Sequence, residues 1–404
     1  MPIKMLTLED LDLDGKTVFL RVDINTPVHP ETGRLIEQSR LEEAAITLRD
    51  LTKSQVVVAS HQGRVGRDDY ISLAPHAKAL GEILGRKVDF VPDVFGPTAL
   101  QAIDSLSDGR IMMLDNLRFT AEENVEFKPP EAEKTVLVSR LSEHIDACVL
   151  DAFSTAHRSS PTIVGFAGLV PTCAGRTVAR ELRMLDRIVS VEKGPYVTVL
   201  GGAKVSDRLD AIDALIANNR ADKVLLCGVV GLLFLKAAGK YNRDLGVEGE
   251  QKLLVKARQL LDEDPERFDT PIDVAIKVDG GRKEVAVADI GPGAQVFDIG
   301  TKTVERYERF IKGAGTVFMS GPPGAFEWEE FSYGTQALLR AMGSSMGTTI
   351  ISGGHLSSAL KKYGINDKID HVSTAGGALV QYLAGKRLPL IDALERAADK
   401  WGRN

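Results

Sequence analysis

Cysteine is scarce in this 404-residue chain: Cys148, Cys173 and Cys227 are the only three, far apart and mostly inside apolar runs. That spacing excludes a disulfide framework and a cysteine-based metal site, and predicts reduced core thiols in a cytoplasmic protein. Excess positive charge is missing too. Fifty Lys and Arg against 56 Asp and Glu leave a formal charge of −6, which argues against a nucleic-acid partner and makes any basic cluster local. The longest apolar run, Val224 to Leu235, is broken by Gly228 and Gly231 and falls short of a membrane span. The first residues, Met1 to Thr7, do not read as a signal peptide. No low-complexity segment occurs, and no repeat with a period of roughly 20–50 residues. What remains is 44% hydrophobic and 26% charged, enough for sizeable cores, at a length that fits two domains.

In the first half, short apolar runs alternate with helical patterns. Thr17–Val22, Val56–Ala59, Val88–Val91, Ile111–Leu114 and Ala147–Leu150 read as strands. Leu41, Ala44, Ala45, Leu48 and Leu51 share one helical face, and Leu73, Ala77, Leu80 and Leu84 another. This rhythm predicts a parallel sheet covered by helices, with every strand's carboxyl end on one side, where such folds bind ligands. The residues after those ends carry the chemistry: Asp23-Ile24-Asn25, Ser60-His61-Gln62-Gly63-Arg64, Asp115-Asn116-Leu117-Arg118, and Asp151 through His157-Arg158. Arg40 precedes the first helix. Arg40, Arg64, Arg118 and Arg158, with His61 and His157, are therefore placed to converge on one edge. Clustered guanidinium groups suit a small molecule carrying phosphate and carboxylate. The alternative is four surface arginines, each paired locally. His61 and His157 read as hydrogen-bonders, and Asp115, Glu122 and Glu123 as solvated acids.

Thr177 to Val191 has helical spacing and reads as a connector. Beyond it, Val197–Leu200 is a strand, followed by Gly201-Gly202-Ala203-Lys204 and a helical run through Leu209, Ile212 and Leu215. Strand, glycine turn and helix start form a possible anion site, with Lys204 and Arg208 adding charge. The same stretch also reads as a tight turn with a solvated lysine. Further strands are read at Lys223–Cys227, Val274–Lys277, Val285–Ala288, Thr316–Met319 and Thr348–Ile351. After them come Ser320-Gly321-Pro322-Pro323-Gly324-Ala325-Phe326-Glu327, Ser352-Gly353-Gly354-His355-Leu356 and, opening a helix, Gly376-Gly377. These glycines either offer backbone N–H groups to nucleotide phosphates or relieve tight turns. The basic end, with Lys400 and Trp401, is either a solvated tail or a docking segment.

With these segments in order, the chain resembles phosphoglycerate kinase from about residue 17 to 390. The match rests on Arg21–Asn25, Ser60–Arg64, Asn116–Phe119, Asp151–Phe153, Ala156–Arg158, Gly201–Asp207, Gly321–Glu327 and Ser373–Ala378. The resemblance implies an α/β fold of two doubly wound parallel-sheet, Rossmann-like domains facing a cleft and joined by an interdomain helix. The boundaries it suggests are 1–176 for a phosphoglycerate-binding domain, 177–193 for the connecting helix, and 194–387 for a nucleotide-binding domain, with 388–404 packing back on the first. It implies phosphoryl transfer between 1,3-bisphosphoglycerate and ADP, giving 3-phosphoglycerate and ATP, with Mg2+ arriving on the nucleotide. Asp23, Ile24, Asn25, Arg40, His61, Gln62, Gly63, Arg64, Arg118 and Arg158 become the expected glycerate site. Gly201, Gly202, Lys204, Gly321, Glu327, Ser352, Gly353, Gly354, His355 and Leu356 become the expected nucleotide site. Arg40, Lys204, Arg208, Gly376 and Gly377 are expected around the moving phosphoryl group. No membrane or nucleic-acid partner is implied, and the expected state is a cytoplasmic monomer or small homo-oligomer. Four departures stand out. The family commonly has lysine where Arg208 stands and asparagine where Ser320 stands. It has Gly-Gly-Gly-Met where this chain reads Cys227-Gly228-Val229-Val230-Gly231, and Gly-Gly-Asp-Thr where it reads Gly353-Gly354-His355-Leu356. The last removes an aspartate expected to serve the magnesium, leaving Asp207 or water as alternatives. Such differences resemble those of archaeal members. A kinase for another small carboxylate and a nucleotide-sensing protein are the rival readings, and turnover separates them.

Overall fold

The computed structural model describes residues 3–29, 31–190, 194–219, 221–279, 281–373, 375–383 and 385–402. Its chain divides into two compact units: Met1–Arg187 with Arg387–Asn404 (unit 1), and Ile188–Lys386 (unit 2).

Unit 1 contains β1 (Thr17–Val22), β2 (Gln55–Ala59), β3 (Val88–Val91), β4 (Ile111–Leu114), β5 (Ala147–Asp151) and β6 (Thr172–Ala174). Its helices are α1 (Ser39–Leu48), α2 (Ala74–Leu84), α3 (Pro97–Asp104), α4 (Pro129–Ala132), α5 (Val136–Ser142) and α6 (Pro161–Val164), with α7 (Arg176–Ser190) starting in unit 1 and crossing its boundary at Arg187. The strands form one parallel sheet in the order β3-β4-β2-β1-β5-β6. They are nearly continuous apolar runs because both faces are covered: β4 and β5 are buried along their whole length. α1 buries Leu41, Ala44, Ala45 and Leu48, the stripe that its spacing predicted. The connector expected over 177–193 falls in α7 as far as Ser190, and Val191 to Lys193 lie outside the described residues.

Unit 2 contains β7 (Tyr196–Leu200), β8 (Lys223–Leu226), β9 (Phe268–Asp269), β10 (Asp273–Val278), β11 (Gly281–Ala286), β12 (Val296–Ile299), β13 (Thr316–Ser320), β14 (Thr348–Ser352) and β15 (His371–Ser373). Its helices are α8 (Val205–Ala217), α9 (Gly228–Ala237), α10 (Glu250–Glu263), α11 (Thr301–Gly313), α12 (Tyr333–Gly343), α13 (Gly354–Tyr363) and α14 (Gly376–Leu383). Six of the strands make a second parallel sheet, ordered β15-β14-β13-β7-β8-β9. The other three do not join it. β10, β11 and β12 form a separate antiparallel sheet, β11-β10-β12. The strand read at Val285–Ala288 therefore begins earlier, at Gly281, and stops at Ala286, where Val287–Asp289 turns as a 3-10 helix. Val278 pairs with Gly281, so β10 and β11 are joined as a tight hairpin, which a βαβ reading does not anticipate. The last helix, α15 (Pro389–Trp401), belongs to unit 1. There the Trp401 indole N–H donates to the Ala167 carbonyl at 2.9 Å, and the Leu390 N–H to the Ala156 carbonyl at 3.1 Å.

In each parallel sheet the winding reverses beside the first strand: between β1 and β5 in unit 1, and between β7 and β13 in unit 2. Connections leave such a point in opposite directions and open a crevice at the strands' carboxyl ends. The loops after β1, β5, β7 and β13 carry part of the candidate residues, and those after β2, β4, β14 and β15 carry the rest.

Candidate active site

In unit 1, the loops after β1, β2, β4 and β5 meet around a cavity of about 450 Å³. Asn25, His61, Gly63, Arg64, Arg118 and Arg158 line it, together with Arg67 and Asp69. Backbone ties fix the rim. The Asn25 carboxamide oxygen accepts the Gly63 N–H at 3.0 Å, and the buried Asn116 carboxamide accepts the N–H groups of Gln62 and Arg118, both at 3.1 Å. Arg118 donates to the Gly63 carbonyl. Gln62 is placed differently from the arginines. Its buried side chain binds both the N–H and the carbonyl of Thr26, at 2.9 and 3.0 Å, and meets His76 at 3.0 Å. Ile24 is buried as well, its N–H held by the Ser60 hydroxyl at 3.1 Å.

Asp23 accepts from the Arg40 guanidinium, the Ser154 hydroxyl and, at 3.0 Å, the Asn25 N–H. Burial alone would raise its pKa, but the Arg40 charge and these hydrogen bonds outweigh burial and hold the carboxyl well below the usual range. His61 shifts the opposite way. Burial, with the cations Arg21, Arg118 and Arg158 nearby, keeps its imidazole neutral. Burial first, and then the charges of Arg158, Arg21 and Arg64, bring Arg118 down to about 10, still cationic at neutral pH. Burial and the neighbouring arginines lower Arg158 similarly. Four arginines line the cavity against two carboxylates, Asp68 and Asp69, so its lining is net positive.

Two readings of acidic residues need correction. Glu123 is not solvated: it is buried, pairs with Arg21 at 3.5 Å, and accepts from the hydroxyls of Ser160 (3.1 Å) and Thr162 (2.6 Å). Arg21 in turn lies 3.4 Å from His61 Nδ1, so this buried pair supports the imidazole from behind. Asp115 is buried too, capping the α2 end by accepting the Leu73 N–H at 2.9 Å. A side chain's solvation depends on loops that pack over it from elsewhere, which local pattern does not record. Arg67, Ser154 and Arg21 were not among the expected site residues. Ser154 sits inside a quoted strand-end loop and Arg67 three residues beyond another, so position after a strand is the signal that could have found them.

In unit 2, the loops after β15, β14, β13 and β7 are consecutive along one sheet edge. Ser320 pairs in register with Leu200 on one side and Ser352 on the other, and Ser352 with Ser373, so the four strands end level. The glycine loops interlock. The Gly201 N–H donates to the Ser320 carbonyl at 3.0 Å, the Gly202 N–H to Pro322 at 2.9 Å, and the Gly228 N–H to Pro323 at 3.1 Å. A Cβ on Gly201 would lie 2.6 Å from the Pro322 oxygen. Gly321 has a φ of +84°, and a side chain there would overlap the Gly201 carbonyl. These N–H groups are engaged by protein carbonyls, so the glycines of this corner provide close approach.

Lys204 is exposed immediately before α8 and makes no ion pair among the described residues. Arg208, one turn on, is buried, and its Nε has no hydrogen-bond partner among them; burial lowers its pKa despite the Asp207 charge. An uncompensated cation of this kind is stabilised by an anion. Gly353 precedes α13, His355 is exposed in its first turn, and Gly376 and Gly377 open α14. Glu327 is exposed, Ser352 is buried, and Leu356 packs in the unit 2 core. Among the described residues no group of three His, Cys, Asp or Glu is placed to hold a metal ion.

Comparison with known proteins identifies the family. The profile of the family described as "Phosphoglycerate kinase" matches residues 8–386. The phosphoglycerate kinase of Methanobacterium bryantii is 41% identical over 401 residues, covering 98% of both chains. That of Methanothermobacter thermautotrophicus is 42% identical, covering 98% of this chain and 97% of its own. Among solved structures, phosphoglycerate kinase from Pyrococcus horikoshii superposes with a TM-score of 0.90 at 37% identity, over 98% of this chain and all of that one. The Coxiella burnetii enzyme gives 0.78 at 31% identity, over 96% of this chain. Matched along nearly its whole length, in sequence and in fold, the chain belongs to the phosphoglycerate kinase family.

Proposed function

We propose that this protein carries out its family's reaction with the two substrates assigned to different units: the phosphoglycerate to unit 1, the magnesium–nucleotide to unit 2. The observation that carries this reading is the net positive charge of the unit 1 cavity, lined by Arg64, Arg67, Arg118 and Arg158 against the carboxylates of Asp68 and Asp69. Arg64, Arg118 and Arg158 bind the phosphate end of the glycerate by charge-assisted, paired hydrogen bonds. Asp23 and Asn25 orient its hydroxyl end, and neutral His61 hydrogen-bonds without adding charge. In unit 2, Lys204 and Arg208 meet the nucleotide phosphates, Gly376 and Gly377 offer N–H groups at the start of α14, and Glu327 reaches the ribose.

Phosphoryl transfer needs placement and charge stabilisation more than proton transfer. The acceptor in the ATP-consuming direction is a carboxylate, already ionised at neutral pH, so no general base is required. Arg40 and Lys204 neutralise charge on the moving group. In-line attack needs reacting atoms about 3–3.5 Å apart, so the two bound ligands must be brought together during turnover. Mg2+ enters with the nucleotide as part of the substrate. Most of its coordination comes from phosphate and water; Asp207, in the first turn of α8, is the nearest carboxylate in sequence to Lys204. Three buried free thiols suit a reducing cytoplasm, and no described helix is long and apolar enough to cross a membrane. A monomer or small homo-oligomer suffices, since one chain supplies both sites. The test is coupled turnover of purified protein with 1,3-bisphosphoglycerate, Mg2+ and ADP. ATP formation is expected; nucleotide binding without turnover would overturn the assignment.

A further inference from the structure

The start of α7 is tied to unit 1 by two buried side chains that the reaction itself does not use. Thr47 lies in the last turn of α1, and Asp151 ends β5; both are buried. The Thr47 hydroxyl donates to Asp151 Oδ2 at 2.6 Å. The Arg176 N–H donates to Thr47 Oγ1 at 2.9 Å, and the Val178 N–H to Asp151 Oδ1 at 3.0 Å. Between them they satisfy N–H groups that the first turn of a helix leaves without partners. Gly175, just before, has room for no side chain, because a Cβ would run into the Asp151 carboxylate.

The same two residues return to the candidate site. Arg40 lies seven residues before Thr47, about two turns along α1 and on the same side. Arg40 pairs with Asp23, Asp23 accepts from Ser154, and Ser154 is three residues past Asp151. The contacts close a ring: Asp23, Arg40, α1, Thr47, Asp151, Ser154 and back to Asp23.

We propose that Thr47 and Asp151 are positioning residues that carry the state of the Asp23–Arg40 pair to the first turn of α7, the helix on which the chain leaves unit 1. An arriving carboxylate or phosphate competes with Asp23 for the Arg40 guanidinium. Drawing Arg40 toward the ligand loads α1 along its axis. A ten-residue helix transmits that displacement to its far end. There Thr47 holds both Asp151 and the Arg176 N–H, so α7 responds with it. This rests on unit 1 being the phosphoglycerate site. A residue that merely caps a helix gives up stability when removed, and nothing more specific.

The experiment measures hydrogen–deuterium exchange of residues 175–180 in the full chain, with and without saturating 3-phosphoglycerate, beside calorimetric binding and steady-state kinetics. In the unsubstituted protein the ligand is expected to change exchange of this segment by about fivefold or more, the low end of measurable coupling between sites. Thr47→Val should keep the 3-phosphoglycerate Kd within about twofold, abolish the exchange response, and lower kcat about tenfold, equivalent to ~1.4 kcal/mol. Thr47→Ser, which retains the hydroxyl, should restore the exchange response and kcat. Tight binding of 3-phosphoglycerate with no exchange response in the unsubstituted protein would overturn this proposal alone. Absence of binding would overturn the site assignment with it. A Thr47→Val protein that is less heat-stable but keeps the response and kcat would reduce Thr47 to a cap.

Discussion

The two units use the same architecture for opposite chemistry. Each contains a parallel sheet whose winding reverses beside its first strand, and in each the candidate residues lie on loops at the strands' carboxyl ends, at and beyond that reversal. Unit 1 fills the place with side chains: four arginines, a neutral histidine and an ionised aspartate, held by Asn116, Gln62 and the buried Arg21–Glu123 pair. Unit 2 fills it with glycines whose backbones touch, flanked by Lys204 and Arg208. A small, doubly charged ligand with little apolar surface must be held by side-chain charge. A nucleotide, larger and partly apolar, can be held by close backbone approach with few cations. One fold therefore supports either solution, and the loops decide which.

The largest effect expected is on turnover. Lys204→Ala or Arg40→Ala should lower kcat by ~10²–10³, the usual cost of one charge-stabilising donor, with circular dichroism unchanged; near-normal turnover would break the division at its centre. Next comes the glycine corner. Gly321→Ala places a side chain at a φ of +84° against the Gly201 carbonyl, a strain of about 1–3 kcal/mol before the overlap is counted. Nucleotide affinity should fall at least about tenfold, a change of ~1.4 kcal/mol, while 3-phosphoglycerate binding to unit 1 is retained. In unit 1, Arg118→Lys keeps the charge but loses the fork, and should raise KM for 3-phosphoglycerate about tenfold without altering KM for the nucleotide.

The last effect, on stability with pH and not on turnover or affinity, again differs in sign between the units. Burial lowers His76 in unit 1 to about 4. As pH falls from about 6.5 toward 4, the unfolded chain takes up a proton that the folded unit refuses, so stability is lost at up to ~1.36 kcal/mol per pH unit. His76→Gln should flatten that slope in denaturant titrations across the range. In unit 2, burial raises Asp298 to about 7, against hydrogen bonds from the Gly334 and Ile299 N–H groups and the Arg282 charge. There the folded unit holds a proton that the unfolded chain releases, so stability falls as pH rises from about 4 to 7. Asp298→Asn should remove that decline.

Both parallel sheets were legible in the sequence because strands covered on two faces have to be apolar throughout, and the loops after them were legible by position. What escaped detection depends on packing between segments far apart in the chain. Arg21 and Glu123 are 102 residues apart yet support His61 together. Asp115 looks like any loop aspartate until the Leu73 N–H is found against it. The β10–β11 hairpin has strand composition, but the direction of pairing is not written in single-strand periodicity. The glycines after β7 and β13 were visible as glycines. The donation of the Gly201 and Gly202 N–H groups to the Ser320 and Pro322 carbonyls, which leaves Gly202 closeness to offer and no free N–H, appears only when both loops are present.

The most direct test of the division is calorimetry of 3-phosphoglycerate and of Mg–ADP, separately, on the full chain carrying Arg64→Ala with Arg118→Ala. The expected result is loss of 3-phosphoglycerate binding by at least about a hundredfold, ~2.7 kcal/mol, with the Mg–ADP Kd unchanged within about twofold. Equal weakening of both ligands, or full retention of 3-phosphoglycerate binding, would contradict it.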